Sequence, residues 1–559
     1  MEFKEEVRIM KKVFIAIAIL FSAQAHALVD MKNANYSNTW IDMDVPGSGY
    51  DLKVVRTYNS RSLFNGMFGF GWCSDFETAM EVTAEGNIKV KECGGGVEVI
   101  YSPRDITRKD VDNTISEIIN KMKAEKKVGF NEASIAKLKA QMIEKDEVRS
   151  DYARQYGIIV PVHEGTHFFA NGREVENIVF NKTYYTRTLA DGSAQRFTPQ
   201  GKLTHIYDKN GNFLKFEYDK DVIAKVEDNN NRRLTFKYYT NKKVKTIIGP
   251  NGLMAEYRFA NLDDLASVKN AWLKVYAYEY DELHNLTKAS WPDKTSISLK
   301  YNKEKDWVTG FVDRDKCTES YTYEGSANDP KNHYWSTMKK VCGKETVAEN
   351  RYEFWHKQKA DGRYYLQRAL TVVNNNTTDI SYHEVFGKPI SIRRNAEKVT
   401  YEYYPDGLVK TKANANMHMA FEYDPKIKKI SDVDAKFFNE KGKQVADKRT
   451  QFKYDAKGNL AFAQNSDGQK IAMTYDTRGR IATITDQAKK VVKIEYEERY
   501  GKPAVVTRPG LGTIKVSYKP NGEINKVESK EGPTVAMQVA STFNNLLDVI
   551  APATAELYL

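Results

Sequence analysis

The feature that most constrains this chain is a tyrosine that returns at the end of a short alternating segment. Leu214-Lys215-Phe216-Glu217-Tyr218, Leu234-Thr235-Phe236-Lys237-Tyr238, Ile471-Ala472-Met473-Thr474-Tyr475 and Val492-Lys493-Ile494-Glu495-Tyr496 all share it. The tyrosines stand at Tyr218, Tyr238, Tyr257, Tyr280, Tyr301 and Tyr323, then Tyr382, Tyr403 and Tyr423, then Tyr454, Tyr475, Tyr496 and Tyr518, spaced 19 to 23 residues apart within each run. Strict alternation puts the large apolar residues on one face of a strand and the polar ones on the other. Asn210-Gly211, Asn251-Gly252, Asp406-Gly407, Asp467-Gly468 and Asn521-Gly522 fall between the segments. They supply the positive φ angles of tight hairpins. A second strand follows several of these turns, as at Leu460-Ala461-Phe462-Ala463 and Ile481-Ala482-Thr483-Ile484. One period is therefore strand, turn, strand, turn. A lone hairpin is marginal in water. Many hairpins in register make a long β-ribbon with one continuous apolar face that must be curled or covered.

Composition agrees with a β-rich chain. There are 34 Tyr against 7 Trp among 559 residues, and tyrosine suits a pleated face with one wet end. With 41% hydrophobic and 28% charged residues, the chain is neither disordered nor a multi-span membrane protein. Lys11-Lys12, the apolar run Val13 to Phe21 and Ala25-His26-Ala27 form the pattern of a secretory signal peptide over residues 1–27. The mature chain is expected to start at Leu28, to be exported to the periplasm, cell surface or medium, and to carry no membrane span. The net charge of +11 would suggest nucleic acid, but the lysines are scattered singly along strands and the compartment is wrong. A solvated basic face, with peripheral contact to an anionic envelope surface, is the reading taken. Four cysteines in an exported chain predict two disulfides in one of three connectivities; Cys73–Cys93, beside Gly94-Gly95-Gly96, with Cys317–Cys342 is the favoured one, because each pair is close in sequence and flanked by strand-like segments.

The wording of the repeat carries a resemblance. Tyr475-Asp476-Thr477-Arg478-Gly479-Arg480, Tyr454-Asp455-Ala456-Lys457-Gly458-Asn459 and Tyr207-Asp208-Lys209-Asn210-Gly211-Asn212 resemble the YD repeat of RHS (rearrangement hot spot) proteins, relatives of teneurins. Arg56-Thr57-Tyr58-Asn59-Ser60-Arg61, followed by Phe68-Gly69-Phe70-Gly71-Trp72, is similar to the segment that precedes the repeats in that family. The resemblance implies a mainly β fold: a hairpin ribbon spiralling into a partial or small hollow shell. Larger members end in a D-P-x-G-L type motif that frees a C-terminal toxin. The two Asp-Pro pairs here, Asp329-Pro330-Lys331 and Asp424-Pro425-Lys426, do not continue into it, so autoproteolysis and toxin activity are not carried over.

The chain divides into a leader (1–27), an N-terminal β segment (28–107), a helical insertion (108–157), the repeat ribbon (158–530) and a helical tail (531–559). Ile115, Ile118, Ile119 and Met122, then Ile135, Leu138, Met142 and Ile143, lie at helical spacing. They predict two helices broken near Gly129, serving as a spacer or as a plug or docking arm. Val535, Val539, Phe543, Leu546, Leu547 and Ile550 predict a C-terminal helix that covers an open end of the ribbon.

His163-Glu164-Gly165-Thr166-His167 matches H-E-x-x-H, which on a helix holds zinc between two imidazoles with the glutamate as base. Gly165 and Thr166 disfavour a helix, and Ile158 to Val162 and Phe168-Phe169 read as strands. On a strand the two histidines stand roughly 13 Å apart, so solvent-facing histidines on a hairpin are expected. Asp313-Arg314-Asp315 reads as a charged turn rather than a calcium loop. The aspartates of the YD motifs are expected to bind turn amides, and the tyrosines to pack in the sheet, with rings on an open face free to stack on sugar or peptide. No cofactor is implied. The function expected is that of an exported, non-catalytic β-scaffold binding an envelope glycan, peptide or partner protein. The alternatives are a shell that sequesters a separate effector or toxin cargo, and a zinc hydrolase using His163, Glu164 and His167.

Overall fold

The computed structural model describes residues 28–92, 97–103, 107–125, 131–173, 175–359, 364–519, 523–529 and 549. The expected leader, the Cys93 to Gly96 turn, Gly129, the Asn521-Gly522 turn and the C-terminal helix, apart from Val549, lie outside them. The repeat region forms one antiparallel sheet of 33 strands among the described residues, from His167–Phe169 to Ile524–Ser529, in which each strand pairs with its neighbours in sequence. Alternation sets the faces. In Lys470–Tyr475 the side chains of Ile471 and Met473 are buried, and in Arg233–Tyr238 those of Leu234 and Phe236.

The recurring tyrosine has a defined job. The register shifts by one residue beside Tyr218, Tyr238, Tyr280, Tyr301, Tyr403, Tyr423, Tyr454, Tyr475, Tyr496 and Tyr518. Such a bulge bends the strand and steepens its twist. Each tyrosine hydroxyl then donates, at 2.6–3.0 Å, to the carbonyl at or near the start of an adjoining strand. Tyr218 reaches Leu203, Tyr238 Ile223, Tyr280 Leu265, Tyr301 Leu286, Tyr323 Val308, Tyr423 Val409, Tyr454 Ile430, Tyr475 Leu460, Tyr496 Ile481 and Tyr518 Pro503. Tyr403 does the same to Pro389. The ladder therefore staples one edge of a ribbon that bends by the same device in repeat after repeat. One sequence expectation shifts. Phe259, not Tyr257, holds the bulge register in its repeat, and Tyr257 turns inward, fully buried.

The bent ribbon returns over itself. Lys209 donates to the Gly458 carbonyl, Asn459 to Asn210, Asn212 to the Arg478 carbonyl and Arg478 to Asn230, across 248 to 266 residues of sequence. Residues 177–325 thus make a first coil, and residues 389–518 a second that rests on it. The inner face of the first coil is packed against the N-terminal segment. Tyr36, Trp40, Met43, Leu52, Val54, Tyr58 and Trp72 share one buried cluster with Leu214, Val226, Ile247, Val268, Leu299 and Phe311. The inner apolar residues of the second coil form separate clusters that contain no residue of the N-terminal segment, and Val549 is buried in one of them.

The insertion holds three helices among the described residues rather than the two expected: α1 (Arg108–Ala124), α2 (Glu132–Glu144) and α3 (Asp146–Tyr156). A break at Lys145 separates α2 from α3 without a glycine or proline to announce it. Ile115, Ile118, Ile119 and Met122 are buried as their spacing predicts, whereas Ile143 is exposed. Ile158 to Val162 do not form a strand. The Ile158 amide caps the helix end at Ala153, and that of Val160 is taken by Ala84, so neither is free for a ladder. No helix among the described residues is long and apolar enough to cross a membrane.

Candidate functional site

The residues that precede the repeats act as a docking code. The Arg56 Nε donates to Asp42 at 2.6 Å and its NH2 to the Tyr278 hydroxyl at 2.8 Å, with both members of the ion pair fully buried. The Tyr257 hydroxyl donates to the same carboxylate at 3.0 Å. The guanidinium lies 4.5 Å from the Trp72 ring centre and 5.2 Å from that of Tyr278, a desolvated cation–π arrangement. The Trp72 indole donates to the Tyr280 hydroxyl, and the Leu286 amide to the Tyr58 hydroxyl. Asn59 accepts from Asn35, and the Ser60 hydroxyl from the Tyr36 amide. Gly69 and Gly71 both have positive φ. A Cβ on Gly69 would stand 2.2 Å from the Asp263 carbonyl, and one on Gly71 2.7 Å from the Tyr58 ring. Arg56, Tyr58, Asn59, Ser60, Gly69, Gly71 and Trp72 thus come together as a plug seated in the first coil. Sequence reasoning missed Asp42, Tyr257 and Tyr278. The signal for Asp42 is an acid standing in the buried phase of a strand beside Trp40 and Met43.

Where the plug meets the ladder a cavity of about 380 Å³ remains. Tyr218, Tyr238, Met67, Phe76, Leu203 and Ile223 line it, and Lys202, Lys242 and Asp221 stand among the polar lining. The Glu77 carboxylate forms part of the wall and accepts from the Met67 and Ser74 amides. Burial pushes it up to about 7, against the pull of those two hydrogen bonds and of Lys243. Burial also holds the Lys243 amine below its usual range. Lys202 and Lys242 both bond Asp221 and keep its carboxyl low. This chamber offers aromatic walls and one carboxyl that titrates near neutrality.

A second candidate lies on the outside. His333–Cys342, Glu345–Gln358 and Tyr364–Val373 are among the longest strands. Ser336 turns inward, its hydroxyl donating to the Met31 carbonyl, so His333 and Trp335 project from the opposite face. Arg351 lies 4.6 Å from the Trp335 ring centre and Arg368 4.6 Å from that of Trp355, on which His333 stacks at 4.9 Å. Glu353 bonds His333 and Arg351, and Asp379 bonds Arg368.

The YD aspartates close their own turns. Asp455 accepts from the Lys457 and Asn459 amides, Asp476 from those of Arg478 and Arg480, and Asp208 from those of Asn210 and Asn212. Burial opposes ionisation of Asp455 and Asp476, but these hydrogen bonds hold both below the usual carboxylate range. Gly211, Gly458 and Gly479 take the positive φ that each turn needs. Tyr454 and Tyr475 belong to the ladder, whereas Tyr207 ends the other strand of its hairpin, on the opposite ribbon edge. The two edges meet at the seam between the coils, so YD turns there touch YD turns.

His163, Glu164 and His167 are exposed. A turn, not a helix, carries the motif: Gly165 has φ +80° and the Thr166 amide donates to the His163 carbonyl. Asp313 accepts from the Asp315 and Cys317 amides and from Lys340, and so closes a charged turn. Cys317 and Cys342 form a disulfide. Cys73 is also disulfide-bonded, and its expected partner Cys93 lies outside the described residues.

The family described as Teneurin YD-shell matches residues 154–559, more than half of the chain. The chain belongs to the teneurin YD-shell family. A domain of unknown function (DUF6531) matches residues 27–98, the plug segment. Comparison with curated proteins finds no match. Among solved structures, TcdB2-TccC3-TEV is 11% identical over 89% of this chain and 28% of that one, with a TM-score of 0.41. TcdB2-TccC3 without its hypervariable C-terminal region is 11% identical over 63% and 23%, at 0.36. A Tc holotoxin pore from Photorhabdus luminescens is 12% identical over 67% and 20%, at 0.30. This YD-shell chain spans 20–28% of the length of these solved chains.

Proposed function

We propose that this YD-shell protein is an exported, non-catalytic scaffold that binds an envelope or surface ligand (a glycan, peptide or partner protein) on its outer face. The supporting observation is the outward cluster of Trp335, Trp355, His333, Arg351, Arg368 and Glu353 on the long strands. Indole rings beside guanidinium and carboxylate groups match the chemistry of a sugar: apolar ring faces together with hydroxyls that donate and accept. The plug covers much of the first coil's inner face and leaves there a chamber of about 380 Å³, too small for a partner protein. The test is a glycan array with the mature chain beside its Trp335→Ala and Trp355→Ala variants. Discrete hits that both substitutions abolish are expected. An array with no hits overturns the glycan form of the reading, and hits unchanged in both variants overturn the assignment to this face. One observation favours cargo sequestration instead: the second coil's inner apolar face is not covered by the N-terminal segment. Cargo held there would co-purify through high salt, while an ionic surface contact would not. The turn at His163 to His167 gives no helical face for zinc, and no hydrolase activity is proposed for it.

A further inference from the structure

One lysine ties the plug to the ribbon. The Lys243 Nζ donates to the side-chain oxygen of Asn65, to the Gly66 carbonyl at 2.9 Å and to the Asn65 carbonyl at 3.4 Å. The lysine side chain is 7% exposed, so its amine is largely withdrawn from water. Asp263 stands beside both partners. Its Oδ1 accepts from the Asn65 Nδ2 at 2.7 Å and lies 3.6 Å from the Lys243 Nζ. Main-chain bonds fix the group on both sides: the Val244 amide donates to the Met67 carbonyl at 2.9 Å, and the Phe70 amide to the Asp263 carbonyl at 3.0 Å. An amine, a carboxamide and a carboxylate within reach of both are thus brought together across 178 residues of sequence.

An amine held against a carboxamide is the reactant pair of an amide exchange, and the fold has already supplied the encounter that makes such a reaction slow between free molecules. Burial holds the Lys243 amine below its usual range, against Asp263 and Glu77, which raises the share of free nucleophile. The hydrogen bond from Asn65, with Lys243, holds the Asp263 carboxyl below its own range, so it starts as a base. Its oxygen reaches both the attacking and the leaving nitrogen, the place of a proton carrier. We propose that Lys243 and Asn65 form an isopeptide bond that joins ribbon to plug. Asp263 takes a proton from the Lys243 ammonium, and the Nζ lone pair forms a bond to the Asn65 Cγ. Asp263 gives that proton to Nδ2, the Cγ–Nδ2 bond breaks, and its electron pair leaves on ammonia. The surplus proton on Nζ returns through Asp263 and departs with the ammonia as ammonium. No oxidant or cofactor is consumed. Asn65 is exposed, which gives ammonia a way out.

The test is a mass-spectrometric peptide map of the full wild-type chain after reduction and trypsin digestion, with the intact mass beside it. The expected result is an intact mass lower by one ammonia than the sequence requires, and a branched peptide joining residues 62–89 to a segment left uncleaved at Lys243. Lys243→Arg and Asn65→Ala should each restore the ammonia and abolish the branch. Asp263→Asn, folded by circular dichroism, should leave most chains unbranched. Asn65 followed by Gly66 also loses ammonia by cyclising on the Gly66 amide, which lowers the mass without making a branch. Ammonia loss without the branch, or Asn65 and Lys243 recovered only in separate linear peptides, therefore overturns the proposal, and this wild-type result depends on no variant folding. A branch undiminished in Asp263→Asn overturns the part given to Asp263.

Discussion

Replacing Asp42 by Ala tests whether the plug is locked by its buried ion pair. The substitution removes the Arg56 Nε bond at 2.6 Å and the NH2 bond at 3.1 Å, along with the acceptor of the Tyr257 hydroxyl. Arg56 is fully buried, so its charge stays behind with only the Tyr278 hydroxyl and the ring faces. Breaking such a pair costs about 3–5 kcal/mol, and the orphaned Tyr257 hydroxyl adds about 1 kcal/mol. The expected loss is therefore about 4–6 kcal/mol. Arg56→Met alone should cost a similar amount, because it leaves the Asp42 carboxylate buried. The double variant Asp42→Leu with Arg56→Met should come within about 2 kcal/mol of wild type, because paired apolar replacements remove both desolvation costs. Urea unfolding followed by tryptophan fluorescence is the assay, since Trp40 and Trp72 stand against this cluster. A loss below about 1 kcal/mol for Asp42→Ala, or a double variant as damaged as the sum of the singles, would refute the argument.

Glu77 should give stability a pH slope. Its carboxyl sits at about 7 when folded against 4.5 when free, so the fold favours the protonated form. Stability should be full below about 4.5 and fall by up to roughly 3 kcal/mol as pH rises to about 7. Denaturation curves at several pH values should show that slope in the wild type and not in Glu77→Gln. Tyr475→Phe removes one hydroxyl donor at 2.8 Å and should cost about 1 kcal/mol; a neutral result in a urea titration would show that the ladder works by ring packing alone. Gly201→Ala places a methyl 1.6 Å from the Met80 carbonyl at the joint between plug and ribbon, whereas Gly211→Ala meets nothing within 4 Å. The first should fail to accumulate as folded protein, and the second should lose only about 1 kcal/mol to its positive φ. Removing Cys317–Cys342 with the double variant Cys317→Ser, Cys342→Ser opens a closed loop spanning 25 residues and should cost roughly 3 kcal/mol, read as a drop in melting temperature against wild type.

Strands and turns were legible because each repeat states its own period. Ile471 and Met473 alternate with polar neighbours, and Asp476 and Gly479 mark the turn that follows. What was not legible depends on partners far away in sequence. Tyr257 matches the ladder by spacing, yet it serves Asp42, 215 residues earlier. Tyr207-Asp208 matches the repeat in wording, yet lies on the other edge, because the same turn chemistry closes hairpins at either end. The break between α2 and α3 at Lys145 carries no breaker residue. A bond from the Arg149 guanidinium of α3 to the Met142 carbonyl of α2 spans it instead. The disulfide at Cys317 was readable from proximity, but the bond of Lys209 to the Gly458 carbonyl at the seam was not, since 249 residues of sequence separate the two.

Pairing every strand of the ribbon with its immediate predecessor has a consequence for how the molecule is made. Growth needs no distant partner, so a chain emerging N-terminus first can add hairpins one after another at low loop-closure cost. The segment that the first revolution must wrap is already synthesised when that revolution begins, and it serves as a mandrel on which the curvature is set. Errors early in the winding would propagate to every later turn, while errors near the finish would remain local.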